Sequence, residues 1–147
     1  MSAELYDPSK VTLTLGTLLV EGYMEGTMIS VSWLADANSL AMGSQGVGAM
    51  IPSNDLSAEV TINLQQTATS NTRLTAIFNI NRSGLAVPLS LRDGSGATLL
   101  AAATAWVKKL PDTGFAGNGI EARTWVITTD RMSGVVGGNP KVALGSA

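Results

Sequence analysis

Cysteine and histidine are both missing from the 147 residues. Their absence removes disulfide staples, thiol nucleophiles, imidazole proton transfer near neutral pH and Cys/His metal sites. Charge is scarce: Asp, Glu, Lys and Arg make up 14%, with a formal net charge of −2. No basic field is available to attract nucleic acid or anionic lipid. Aromatics amount to only 5%, too few for an obvious stacking platform. No apolar run approaches the ~20 residues that cross a bilayer. The longest weakly polar stretch, 97–107, is interrupted by Thr98, Thr104 and Trp106. The opening Met-Ser-Ala-Glu-Leu-Tyr-Asp-Pro has no basic region followed by an apolar one. The expectation is a soluble chain made in the cytosol, without membrane insertion.

What is present is apolar and small. Hydrophobic residues reach 45%, mostly Ala, Val, Leu, Ile and Met, and residues 1–147 suffice for one domain with a real core. A small monomer ordinarily keeps about 25–35% charge on its surface. Here Ser, Thr, Asn, Gln and Gly must supply that surface, which suits repeated contact with copies of the same chain. An ordinary low-charge monomer is the alternative.

Alternation with period 2 recurs. Val11–Leu15, Ile29–Trp33 and Ala58–Leu64 each set apolar residues on one face and Thr, Ser, Asn or Glu on the other, as half-buried strands do. Val87–Arg92 is a further strand, with Pro88 confining it to a strand start or an edge. Asp93-Gly94-Ser95-Gly96 is the turn after it. Ile120–Asp130 is rich in β-branched and aromatic residues and also reads as strand. One helix is expected, capped by Thr69 or Ser70, with Leu74, Ile77, Phe78 and Asn81 on one face and Gly84 at its C-terminal end. Residues 97–109 are open: alanine content favours helix for the first half, whereas Trp106-Val107 and the Pro111 stop fit a strand. From Gly134 onward the chain is Gly-rich and expected to be loosely held.

Residues 37–55 form a long inter-strand loop in this reading. Three glycines (Gly43, Gly46, Gly48) are interleaved with Leu40, Met42, Val47, Met50 and Ile51. A disordered linker would be polar; an apolar, adaptable loop suits a partner surface. The competing reading is a loop folded back over its own core.

Motifs that carry chemistry are missing. Gly43-Ser44-Gln45-Gly46 is not a nucleophile elbow, and no Gly-x-x-x-x-Gly-Lys-Ser/Thr phosphate loop exists. The spacing of Gly43, Gly46 and Gly48 lacks a βαβ context. The carboxylates are spread singly, and 93–96 is too short for a calcium loop. The expectation is no catalytic residue, no metal and no cofactor. A monomeric carbohydrate- or peptide-binding β-sandwich is a competing class, and a carboxylate enzyme a weaker one.

Near the C-terminus, Ala105-Trp106-Val107-Lys108-Lys109-Leu110-Pro111-Asp112 leads through Phe115 to Arg123-Thr124-Trp125-Val126-Ile127. The opening Tyr6-Asp7-Pro8-Ser9-Lys10-Val11 enters a strand by an aspartate-proline step. Glu21-Gly22-Tyr23-Met24-Glu25-Gly26 precedes the next. Over nearly its whole length the chain resembles the tail tube proteins of contractile-tailed bacteriophages, which share their fold with the type VI secretion tube protein.

The resemblance implies a mainly β fold with one α-helix, two packed antiparallel sheets forming a β-sandwich or barrel, in which the alanine-rich segment is a strand. It implies homo-hexameric rings stacked into the inner tail tube of a virion, assembled in the host cytoplasm, a conduit for DNA ejection through which DNA passes without specific binding. The implied partners are the tail sheath protein, tape measure protein, baseplate hub and tail terminator. A tube of a phage-tail-like contractile injection or secretion system is the alternative. Six subunits giving about four strands each, at roughly 4.8 Å spacing and 40° tilt, would enclose a wall about 48 Å across, wide enough for a DNA duplex. On that picture Ser30, Ser32, Glu59, Thr61 and Asn63 line the lumen, an uncharged to acidic lining that does not grip phosphate, while Val31, Trp33, Val60 and Ile62 pack inward. Leu40, Met42, Val47, Met50 and Ile51 form the ring-stacking loop, and the helix with its flanks meets the sheath.

Overall fold

The computed structural model describes residues 3–140. In chain order the elements are β1 (Val11–Leu15), β2 (Leu18–Leu19), β3 (Ile29–Trp33), β4 (Asn38–Met42), β5 (Gly48–Pro52) and β6 (Ala58–Gln65). After these come α1 (Ser70–Arg82), β7 (Val87–Asp93), β8 (Leu99–Lys109), β9 (Ala122–Thr129) and β10 (Ser133–Val135). The protein is mainly β with one helix and antiparallel sheets, as expected. The two sheets are unequal. One has eight strands in the order β2-β1-β7-β8-β9-β6-β3, with β10 also on β8; the other is the β4–β5 pair.

Alternation sets the inner face of the large sheet. Leu13, Leu15, Val60, Ile62, Leu64, Leu89, Leu91, Trp125 and Ile127 are buried there. The sheet curls around this core, so that Val11 of β1 and Ile29 of β3, near opposite ends of the strand order, line one cleft. Leu74 of α1 is fully buried in the same core, with Ile77 and Phe78 packed at its margin. Pro88 lies at the second position of an interior strand, where the β7–β8 register shifts between Val87 and Leu89. Its carbonyl accepts the Gly16 N–H at 2.7 Å.

Residues 99–109 are one long strand, as the family resemblance implied. Alanine propensity favours helix, but β7 pairs along one side of β8 and β9 with β10 along the other, and this ladder outweighs a few tenths of a kcal/mol per residue. α1 packs against β8, where Ala102 and Ala105 are buried.

Two amides tie the helix down. Asn71 Oδ1 accepts the indole N–H of buried Trp125 at 2.9 Å, and Asn71 Nδ2 donates to the Gln65 carbonyl at 2.9 Å. At the other end Asn81 Oδ1 accepts the Val107 N–H at 2.9 Å, beside the bulge where the β8–β9 register shifts. Neither Thr69 nor Ser70 caps the helix through its side chain. Ser70 Oγ instead accepts the Glu21 N–H at 3.0 Å, fastening the β2–β3 connection to the helix start. Gly84 has φ +99°, and the Gly84 and Leu85 N–H groups return to the Asn81 and Ile80 carbonyls, a Schellman ending.

A repeated Asp-x-Ser pattern stiffens three connections. Oδ1 of Asp7, Asp55 and Asp93 accepts the N–H of Ser9, Ser57 and Ser95 at 3.0, 3.1 and 2.9 Å. In each case it also accepts the serine hydroxyl, at 2.6 Å. The serine hydroxyl is in every case the foremost cause holding the carboxyl below its usual range. The segment after Gly134 is more firmly held than expected. Ala97 N–H donates to the Gly138 carbonyl at 2.9 Å, Asn139 Nδ2 to the Leu5 carbonyl at 2.7 Å, and Leu5 N–H to the Pro140 carbonyl at 2.7 Å. The remainder of that segment, 141–147, lies outside the described residues.

Candidate functional site

The span 37–55 is a hairpin rather than a loop. Leu40 pairs with Met50 and Met42 with Gly48. Gly43 N–H closes on the Val47 carbonyl at 2.9 Å, and Gly46, at φ +79°, takes the left-handed position of a three-residue turn. The hairpin continues the β3–β6 ladder outward. Leu34 N–H donates to the Ser57 carbonyl at 3.0 Å and Ser53 N–H to the Ala37 carbonyl at 2.7 Å. All ten strand residues are exposed, so the alternative of a segment folded over its own core is excluded. Leu40, Met42 and Met50 share one face, Ile51 lies on the other, and Val47 sits in the turn. Their exposures run from 50% for Ile51 to 73% for Val47. No charged residue occurs between Asp36 and Asp55.

The five polar residues of β3 and β6 come together. Ser30 lies opposite Thr61 and Ser32 opposite Glu59, on the face away from the core. Asn63 continues the row. Its Nδ2 donates to the Thr27 carbonyl at 3.0 Å, and its Oδ1 accepts the Thr124 hydroxyl at 2.7 Å. Val31, Val60 and Ile62 face inward, but Trp33 is 43% exposed. It ends β3, the last strand of the sheet order, so no further strand covers it. The face is not acidic in the way the residues alone suggested. Lys108 of β8 reaches across β9 to Glu59 at 2.7 Å, and Lys109 lies in register with Val126 of β9. The lysine was legible only as a solvated strand end, because its neighbour depends on the β8–β9–β6 register. Exposed as it is, the pair contributes at most about 1 kcal/mol; its effect is to neutralise the row.

A third feature escaped the sequence reading. Arg123, 5% exposed, lies on the inner side of β9 beside Leu64. Its Nη2 donates to the Gly114 carbonyl at 2.9 Å, and Phe115 lies 5.2 Å from the guanidinium. Among the described residues no carboxylate comes within 4 Å of it. Strand alternation could have signalled an inward arginine at this position. Tyr23 is partly buried, and its hydroxyl finds no partner among the described residues. Burial, then the Glu21 charge, pushes its pKa up to about 12. Among the described residues no three acidic side chains gather where they could hold a metal, and no helix is long and apolar enough to cross a membrane.

No protein-family model matches the chain. It is similar to a structural protein, ORF10, of Pseudomonas phage KPP10, at 26% identity over 97% of this chain and 87% of the phage protein. Its fold is similar to that of a chain in the sheath-tube complex of an extracellular contractile injection system in the extended state. There the TM-score is 0.57 and the identity 17%, covering 89% of this chain and 93% of the other. It is also similar to a chain in the tube-terminating cap of the anti-feeding prophage. That match has a TM-score of 0.55 and 14% identity, covering 88% and 89%. The phage likeness and the tube-and-cap fold together agree with the tail tube resemblance.

Proposed function

We propose that this chain, similar to a phage structural protein and folded like chains of contractile sheath-tube and tube-cap assemblies, is a structural subunit of a virion tail. In this reading it forms hexameric rings that stack into the inner tube through which DNA leaves. The observation that carries the reading is the hairpin of 38–52: uncharged, with apolar residues on both faces and every residue exposed. An isolated monomer gains nothing from such a surface, whereas head-to-tail contact between copies buries it.

Ser30, Ser32, Glu59, Thr61 and Asn63 then face the lumen. Supporting this, the row has its one carboxylate neutralised by Lys108, and a neutral polar wall neither grips phosphate nor repels it strongly. The exposed side of α1 is the proposed contact for a sheath, and the tube ends would meet the tape measure protein, baseplate hub and terminator. No step of this work makes or breaks a covalent bond.

The likeness to a tube-terminating cap favours a second reading, a subunit that closes the tube. Electron microscopy of the purified protein over a concentration series separates them. A tube subunit gives open-ended filaments of stacked rings; a terminator gives single rings that do not stack. A particle that stays monomeric at every concentration overturns both.

A further inference from the structure

We propose that the hairpin of one copy is received by the opposite pole of the next, at the 110–121 connection around Phe115 and Arg123. The inference rests on the tube reading and names the receptor that reading leaves open. The hairpin leaves the body at the Trp33/Ala58 end of the β3–β6 pair. The other end of β6, Gln65, pairs with Ala122, and Gln66 N–H donates to the Glu121 carbonyl at 3.1 Å. The 110–121 connection therefore sits about 24 Å away, the length of an eight-residue strand. A projecting element at one pole and a receptor at the other is the requirement for head-to-tail stacking that does not close on a pair.

The receiving pole sets exposed apolar side chains beside the Arg123 guanidinium, with Asp112 and Glu121 on the same connection. Phe115 is 83% exposed, with Leu110 and Ile120 at 45% each. Beside them a cleft of about 280 Å³ opens between Leu110 and Asn71 of α1, with Arg123 and Trp125 in its lining. The guanidinium has five N–H donors, and its acceptors are the carbonyls of Gly114 and Ala122. The hairpin brings no carboxylate between 37 and 54, and its unpaired strand edges offer peptide carbonyls. Leu40 and the two methionines supply apolar bulk that adapts to a cleft of this size.

The absence of cysteine from the chain makes the test clean. Gln45→Cys at the hairpin turn and Phe115→Cys are combined in one chain, assembled, and treated with a short bismaleimide. Head-to-tail docking gives a ladder of covalent multimers, whereas either single variant stops at the dimer. Filaments visible by microscopy with no ladder overturn this receptor and leave the tube reading standing. Absence of any assembly by the unmodified protein overturns the tube reading and this inference with it. As a second measurement, Phe115→Ser should raise the assembly threshold at least tenfold with an unchanged melting temperature; an unchanged threshold counts against the proposal.

Discussion

Replacing Leu40 and Met50 together by serine tests the assembly surface at its centre. The two face each other across the hairpin and are each 71% exposed. Fully burying a leucine or methionine side chain is worth about 1.5–3 kcal/mol. With seven-tenths of each side chain still in contact with solvent, docking against another copy gains about 1–2 kcal/mol from each. The pair thus contributes about 2–4 kcal/mol per contact, so its loss should raise the concentration needed for assembly about 30-fold to nearly a thousandfold. The isolated subunit should hardly notice, because neither side chain is buried within it; its stability should change by no more than about 0.5 kcal/mol. Sedimentation over a concentration series reads the threshold, and thermal unfolding by circular dichroism reads the fold. A double variant that assembles at the parental threshold while melting at the parental temperature would refute the reasoning, since an apolar cross-strand pair this exposed would then contribute nothing to contact between copies.

Asn71→Ala leaves the Trp125 indole N–H without its partner and takes one donor from the Gln65 carbonyl, which keeps the Ala68 N–H. A loss of about 1–3 kcal/mol is expected, lowering the melting temperature by several degrees in calorimetry. Tyr23 is held neutral by burial, with its pKa raised from 10.0 to about 12. The unfolded chain loses that proton more readily, so the contribution of Tyr23 is intact below pH 10 and is lost as pH rises from 10 towards 12. Urea unfolding across that window should show the decline, and Tyr23→Phe should flatten it. Glu59→Lys with Asn63→Lys places two cations beside Lys108 on the proposed lumen face. Genome ejection from particles carrying the variant should slow, more so at low ionic strength; parental ejection kinetics would count against that face lining the channel.

Much of the scaffold could be read directly. Val11–Leu15 and Ile29–Trp33 have the bounds their alternation indicated, and the helix with its Gly84 ending follows from apolar spacing and one left-handed residue. The hairpin was missed as a pair of strands for a physical reason. Period 2 is visible only when one face is buried and the other polar, and 38–52 is exposed and apolar on both. The alanine run of 99–105 misleads in the opposite direction, since its local preference is overruled by partners on both sides. The five polar residues of the proposed lumen face were legible as a row because β3 and β6 each alternate cleanly.

Alternation, charge scarcity and the absence of cysteine and histidine depend only on the composition and order of residues, so the sequence by itself determined a β-rich chain with one helix and an uncharged apolar segment free for contact. Which residues meet across strands was decided only by the tertiary structure. Glu59 with Lys108, Trp125 with Asn71, and Arg123 beneath Phe115 are brought together by the register of β6, β8 and β9 and the seating of α1. A shift of one residue would have sent each of these strand side chains to the opposite face. That register is set by the summed fit of a whole core, which no local stretch of the chain encodes.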